Sequence, residues 1–86
     1  MYYVYILFSQ RLNIFYKGIT QNPDKRLQEH NNDLSRFTAG KGPWELVYLE
    51  EVSSKKEALI REKPIKKLNR KSIILLLQKY SDNQEK

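Results

Sequence analysis

Two tyrosine-centred segments, Tyr3-Val4-Tyr5 and Tyr16-Lys17-Gly18, open the chain, and an Arg26…His30 pair follows them closely. Phenols, a guanidinium, an imidazole and an ammonium are thereby gathered in the first third of a small basic protein. Such groups can hold a phosphodiester and move a proton beside it. Competing chemistries are missing from the sequence. With no cysteine, thiolate zinc sites, a cysteine nucleophile and disulfide staples are excluded. There is also no carboxylate cluster and no glycine-rich phosphate loop. Three outcomes stay open: the constellation cuts nucleic acid, binds it, or does neither.

The frame that must position these groups is small. Eighty-six residues fit one domain, and a chain this short buries only about 60% of its unfolded surface, so its core is thin. Sixteen Lys and Arg against ten Asp and Glu leave a net charge of +6, which favours a polyanionic partner. The apolar start, Met1 to Phe8, has no basic leader or small-residue cleavage site. The longest aliphatic run, Ile73 to Leu77, is far short of the ~20 residues of a membrane span. A cytoplasmic protein with no membrane partner is expected.

Tyr2 to Ser9 is aromatic and β-branched, a strand. Alternation puts Tyr3, Tyr5 and Leu7 on one face and Tyr2, Val4, Ile6 and Phe8 on the other. Both faces are apolar, so this strand is central. Ile14 to Thr20 pairs with it through a short turn. Asn22-Pro23 opens a helix to about His30. Residues 31–43 have loop composition, and Trp44 to Val52 is a third strand with Trp44, Leu46 and Tyr48 alternating against Glu45, Val47 and Leu49. Ser54 and Glu57 suit a capping box. Pro64 predicts a kink or break in the helix that follows. A last helix covers roughly Arg70 to Tyr80, within a domain of residues 1–80, and 81–86 form a frayed tail. The order β-β-α-β-α-α predicts an α/β (α+β) domain, a small, mainly antiparallel three-stranded sheet flanked by helices.

Taken together, these residues resemble the GIY-YIG nuclease domain, which also occurs at the N-terminus of an excinuclease and in homing endonucleases. Tyr3-Val4-Tyr5 stands where Gly-Ile-Tyr would be, and Tyr16-Lys17-Gly18 where Tyr-Ile-Gly would be. Lys25 to His30 matches the helix with arginine and histidine four residues apart, and Glu57 to Glu62 with Ile65-Lys66-Lys67 matches the helix of the family's glutamate. The chain is most similar to the small stand-alone branch, over about residues 1–80.

The resemblance implies cleavage of a phosphodiester, usually in DNA, with Mg²⁺ or Mn²⁺, structure-selective and in repair or recombination. It implies Tyr5 and Tyr16 as paired site tyrosines, Arg26 as the phosphate-binding arginine, His30 as a proton handler and Glu62 as the metal ligand. Lys17, Arg26, Lys41 and Lys66 are the candidate contacts to a nucleic-acid backbone. A free phenol with pKa near ~10 is a poor base at neutral pH, and a metal and an arginine would favour its ionised form. One carboxylate suffices for Mg²⁺, which keeps water and phosphate oxygens. Glu57 and Glu62 lie about 140° apart around a helix, so Glu57 is better explained by the helix dipole. Tyr3 departs from the pattern, and Asn69 comes too soon to match the family's late asparagine.

Each residue also has a plainer explanation. Tyr5 and Tyr16 suit any sheet, Arg26 and His30 a solvated helix face, and Glu62 an ion pair with Lys66. The alternative is a non-catalytic nucleic-acid module keeping the same fold. A third class, an adaptor for a protein partner, rests only on Phe37 and Trp44 as surface aromatics.

Overall fold

A computed structural model describes residues 1–84. Strands β1 (Tyr2–Ser9) and β2 (Ile14–Thr20) are followed by helix α1 (Pro23–Asn31), strand β3 (Glu45–Val52), and helices α2 (Lys55–Lys66) and α3 (Arg70–Gln84). The sheet runs β2-β1-β3 and is antiparallel throughout. The central place of β1 follows from its two apolar faces. The expected element order and fold class are the observed ones.

Those two faces feed two cores. Val4 and Ile6 pack with Tyr48, Ala58, Ile65 and Ile73, so α2 and α3 cover that side. Tyr5, Leu7 and Trp44 pack with Tyr16, Leu27, Leu46 and Leu49, so α1 and the α1–β3 loop cover the other. Strand β3 departs from simple alternation. Tyr48 pairs with Ile6 but Leu46 pairs with Leu7, leaving Val47 as an extra residue in a bulge. The slip sends Tyr48 to the α2 side while Trp44 and Leu46 stay on the α1 side. Trp44, a surface aromatic on sequence grounds, is only 5% exposed.

Helix ends follow local chemistry. Asn22 accepts from the Lys25 N–H at 3.1 Å with Pro23 in the first turn. Ser54 accepts from the Glu57 N–H, while the Glu57 carboxylate reaches back to the N–H and hydroxyl of Ser53. Glu57 is therefore a capping group. Helix α2 is not broken at Pro64; it runs two residues further, to Lys66. Pro64 sits in its last turn, where Lys67 and Leu68 donate to the Pro64 and Ile65 carbonyls in tighter i→i+3 bonds. Asn69 caps α3 by accepting from the Ser72 N–H at 2.9 Å. Helix α3 continues to Gln84, past the Tyr80 end expected from the sequence. The tail residues Glu85 and Lys86 lie outside the described residues.

Candidate active site

Strand register brings the first two motifs together. Tyr5 pairs with Gly18 and Leu7 with Tyr16 across β1 and β2. The Tyr5 ring lies over Gly18: a Cβ built there would sit 2.6 Å from the Tyr5 hydroxyl. Glycine is required in the second motif because a phenol crosses the edge strand at that point. Tyr16 stands beside it, with ring centroids 6.4 Å from Tyr5, 5.0 Å from His30 and 6.3 Å from Trp44.

Helix α1 supplies the next two groups, one turn apart and on one face. His30 is fully buried. Its Nε2 is 3.0 Å from the Tyr5 hydroxyl and its Nδ1 is 2.6 Å from the Thr38 hydroxyl. Thr38 in turn donates to the Ser35 carbonyl at 3.5 Å. In the tautomer that lets Thr38 donate to Ser35, Nδ1–H donates to Thr38 and Nε2 accepts from Tyr5. Burial, reinforced by the nearby Arg26 charge, pushes His30 down from 6.5 to about 4, with Glu29 opposing. The imidazole is therefore neutral at pH 7. Burial likewise pushes Tyr5 above its ordinary value, Tyr16 and Glu62 adding to this and Arg26 opposing it. Arg26 favours the phenolate, as expected, but in the protein alone desolvation outweighs that single guanidinium.

Arg26 is only lightly engaged. It donates to Glu29 and to the Ser35 hydroxyl, both at 3.3 Å, and its side chain is 31% exposed. Glu62 comes from α2, on the opposite layer, yet its carboxylate is near enough to oppose ionisation of Tyr5. Its side chain is 15% exposed and pairs with Lys66 at 3.5 Å. Lys17 stands apart from this group. Its Nζ donates to the Lys66 and Leu68 carbonyls, capping the end of α2, as expected for a side chain opposite to Tyr16. Lys41 is exposed in the α1–β3 loop, and its carbonyl accepts from Ser9.

As for a metal, no group of three His, Cys, Asp or Glu among the described residues could hold an ion. The donor chemistry around Glu62 still suits a hard cation, since Mg²⁺ commonly takes one carboxylate and completes its shell with water and phosphate oxygens.

Two site residues escape a reading of the sequence. Ser35 and Thr38 are buried polar groups in the loop, one holding Arg26 and the other His30. The available signal is their three-residue spacing among larger, exposed neighbours, which marks the inward positions of a tight turn.

A phenol pair on a short antiparallel sheet, facing an arginine and a histidine one turn apart, defines a class of small nuclease domains. The chain belongs to that class: the family model of the GIY-YIG catalytic domain matches residues 1–81. Its relatives are small proteins of similar length. It is 42% identical to a UPF0213 protein of Clostridium perfringens over 99% of this chain and 91% of that protein. A UPF0213 protein of Syntrophus aciditrophicus is 41% identical over 88% of each chain. The solution NMR structure of the UPF0213 protein from Bacillus halodurans is 34% identical, with a TM-score of 0.57 over 91% of this chain and 84% of that one. No described helix is long and apolar enough to cross a membrane.

Proposed function

We propose that this chain is an endonuclease that hydrolyses phosphodiester bonds in DNA with Mg²⁺ or Mn²⁺, acting in the cytoplasm on branched or damaged structures in repair or recombination. The observation that carries this reading is the contact of Tyr5 with a neutral, buried His30 beside a lightly engaged arginine. Arg26 would bind the non-bridging oxygens of the scissile phosphate with its planar donor fork. The hydroxyl of Tyr16 makes no hydrogen bond among the described residues and is not an enclosed orphan, so it can reach the same phosphate.

Tyr5 then acts as a relay. As water attacks phosphorus, its proton passes to the Tyr5 oxygen while the Tyr5 proton passes to His30 Nε2. A free phenolate is never needed, which accommodates the raised Tyr5 pKa. Substrate phosphate helps, because its charge offsets the Arg26 repulsion that adds to burial in holding His30 low. Glu62 would hold the cation, which when bound stabilises charge at phosphorus and on the leaving oxygen. Lys41 and Lys66 would track the flanking backbone.

Purified protein incubated with branched, nicked, single- and double-stranded DNA plus Mg²⁺ tests this. Cleavage should stop with a chelator and in Glu62→Ala, and Arg26→Ala should lower it by about 100- to 1,000-fold. Salt-dependent binding without cleavage under any condition would instead make the domain a non-catalytic nucleic-acid module.

A further inference from the structure

The loop over residues 32–43 has a fixed frame. Leu34 N–H donates to the Glu29 carbonyl, Ala39 N–H to Ser35, Lys41 N–H to Thr38, and Gly40 N–H to the Asp33 carboxylate. From β1 and the β1–β2 turn, Ser9 and Arg11 bond the carbonyls of Lys41, Gly40 and Gly42. The Trp44 indole donates to the Thr38 carbonyl. Within this frame Ser35 and Thr38 point inward to Arg26 and His30. Leu34, Arg36 and Phe37 are pushed outward, with Leu34 73% and Phe37 71% exposed.

That exposure is unusual for this chain. Of six tyrosines, three phenylalanines and one tryptophan, all among the described residues, Phe37 alone is exposed. A protein with a thin core leaves a phenyl ring in water on a rigid loop, one residue from a side chain that touches the site histidine. Its surroundings are cationic: Arg36 lies between the two apolar groups, with Lys41 further along the same loop and Arg26 held by Ser35. The nearby acids are committed, Asp33 to the Gly40 N–H and Glu29 to Arg26. An exposed phenyl ring on a loop that also carries the exposed cations Arg36 and Lys41 suits an occupant with a flat π face joined to an anion, which is a nucleobase freed from its stack.

We propose that Leu34, Arg36 and Phe37 form a platform that stacks on an unpaired nucleobase next to the scissile phosphate, so that the substrate is DNA carrying at least one unpaired base. This rests on the nuclease reading above and adds the element that selects the substrate. Base pairs in an intact duplex shield their faces, and only an unpaired or unstacked base offers one to Phe37. Arg36 supplies a backbone contact that every sequence shares.

Binding is measured in chelator, so that cleavage plays no part, with three labelled probes: a duplex, the same duplex with an unpaired bulge, and one strand alone. Phe37→Ala should weaken binding of the bulge and the single strand by about 5- to 150-fold, the range for loss of one base–aromatic stack, and leave the duplex unchanged. Phe37→Trp should restore affinity, and its fluorescence should be quenched by the bulge probe. Arg36→Ala should weaken all three probes alike and lower the salt slope by about 1. Ile60→Ala, an exposed apolar change on α2, should alter nothing. Unchanged binding by Phe37→Ala, an equal loss on the duplex, or a shift in oligomeric state would overturn the platform. Metal-dependent cleavage that disappears in Glu62→Ala would leave the nuclease reading standing in that case; failure of the wild type to bind any probe would remove both.

Discussion

Two clusters in this molecule join a buried tyrosine to an arginine and a third polar group, one on each side of the sheet. On the α2 side, Tyr48 donates to Glu50 at 2.6 Å, and Arg61 grips the same carboxylate with two bonds of 2.8 and 2.9 Å. Every charge there has its partner, and the cluster ties α2 to β3. On the α1 side, Tyr5 meets an uncharged imidazole, and Arg26 has only 3.3 Å contacts. Similar residue types thus give a staple in one place and an available cation in the other. The difference is how the carboxylate is held: Glu50 takes Arg61 in two short bonds, whereas Glu29 meets Arg26 through a single 3.3 Å contact that leaves most of the donor fork free for an incoming anion.

The sharpest way to break the comparison is to remove each arginine in turn. Arg26→Ala should lower cleavage by about 100- to 1,000-fold, the usual cost of one transition-state donor, with little change in melting temperature. Arg61→Ala should leave cleavage per folded molecule intact. If both variants lost activity equally, the two clusters would not differ in role.

Acid separates them next. A histidine whose folded pKa is depressed keeps its stabilising effect above its unfolded value and loses it as pH falls. Between about pH 6.5 and 4 the unfolded chain binds a proton at His30 that the folded one refuses, so stability falls with acid across that window. At ~1.4 kcal/mol per pKa unit the total approaches about 3 kcal/mol. His30→Gln should flatten the slope in a denaturant series taken at several pH values. Glu50 is also held below its ordinary value, chiefly by its bonds to Arg61. Its contribution is present above the usual carboxylate range and disappears only as pH falls below it. Loss confined to that lower range would mean that His30 is not buried as a neutral group.

Gly18→Ala sharpens the geometric side of the comparison. The new methyl would lie 2.6 Å from the Tyr5 hydroxyl and 2.8 Å from its ring carbon. Overpacking of this kind costs about 1–3 kcal/mol, and the displaced phenol should lose its contact with His30. Activity and stability should fall together here, whereas Arg26→Ala separates them. Crosspeaks of the Tyr5 and His30 rings in an NMR spectrum would report the displacement.

How much of the fold and site is legible in the sequence depends on whether a feature is local. The two-faced β1, the Asn22 cap and the opposite directions of Tyr16 and Lys17 follow from period and capping chemistry, and they appear as expected. The bulge at Val47 does not, because alternation along β3 gives no sign that register slips against Ile6 and Leu7. Pro64 misleads for a different reason: it costs α2 one bond to the Ile60 carbonyl, but only two helical residues follow it, so little of the helix is left to be kinked away. The Ser35 and Thr38 anchors belong to tertiary structure, since their partners are meaningful only once α1 is packed on the sheet. Charges on Tyr5 and His30 are least legible, because burial sets both and composition reports neither.

The smallest expected effect belongs to the staple itself. Arg61 makes a two-bond contact, but its side chain is 45% exposed, so solvent screens the pair and its worth is about 1 kcal/mol. In a domain this short such a loss lowers the melting temperature by roughly 4–8 °C. Arg61→Ala should also raise Tyr48 beyond its present position of about 12, because Arg61 is the group that opposes burial and Glu50 there. Glu50→Gln should lose as much alone as together with Arg61→Ala, since either change ends the same pair. An additive double variant would show that the two residues act separately, and that the α2 side is a set of independent surface contacts with no bearing on how the α1 side keeps its arginine available.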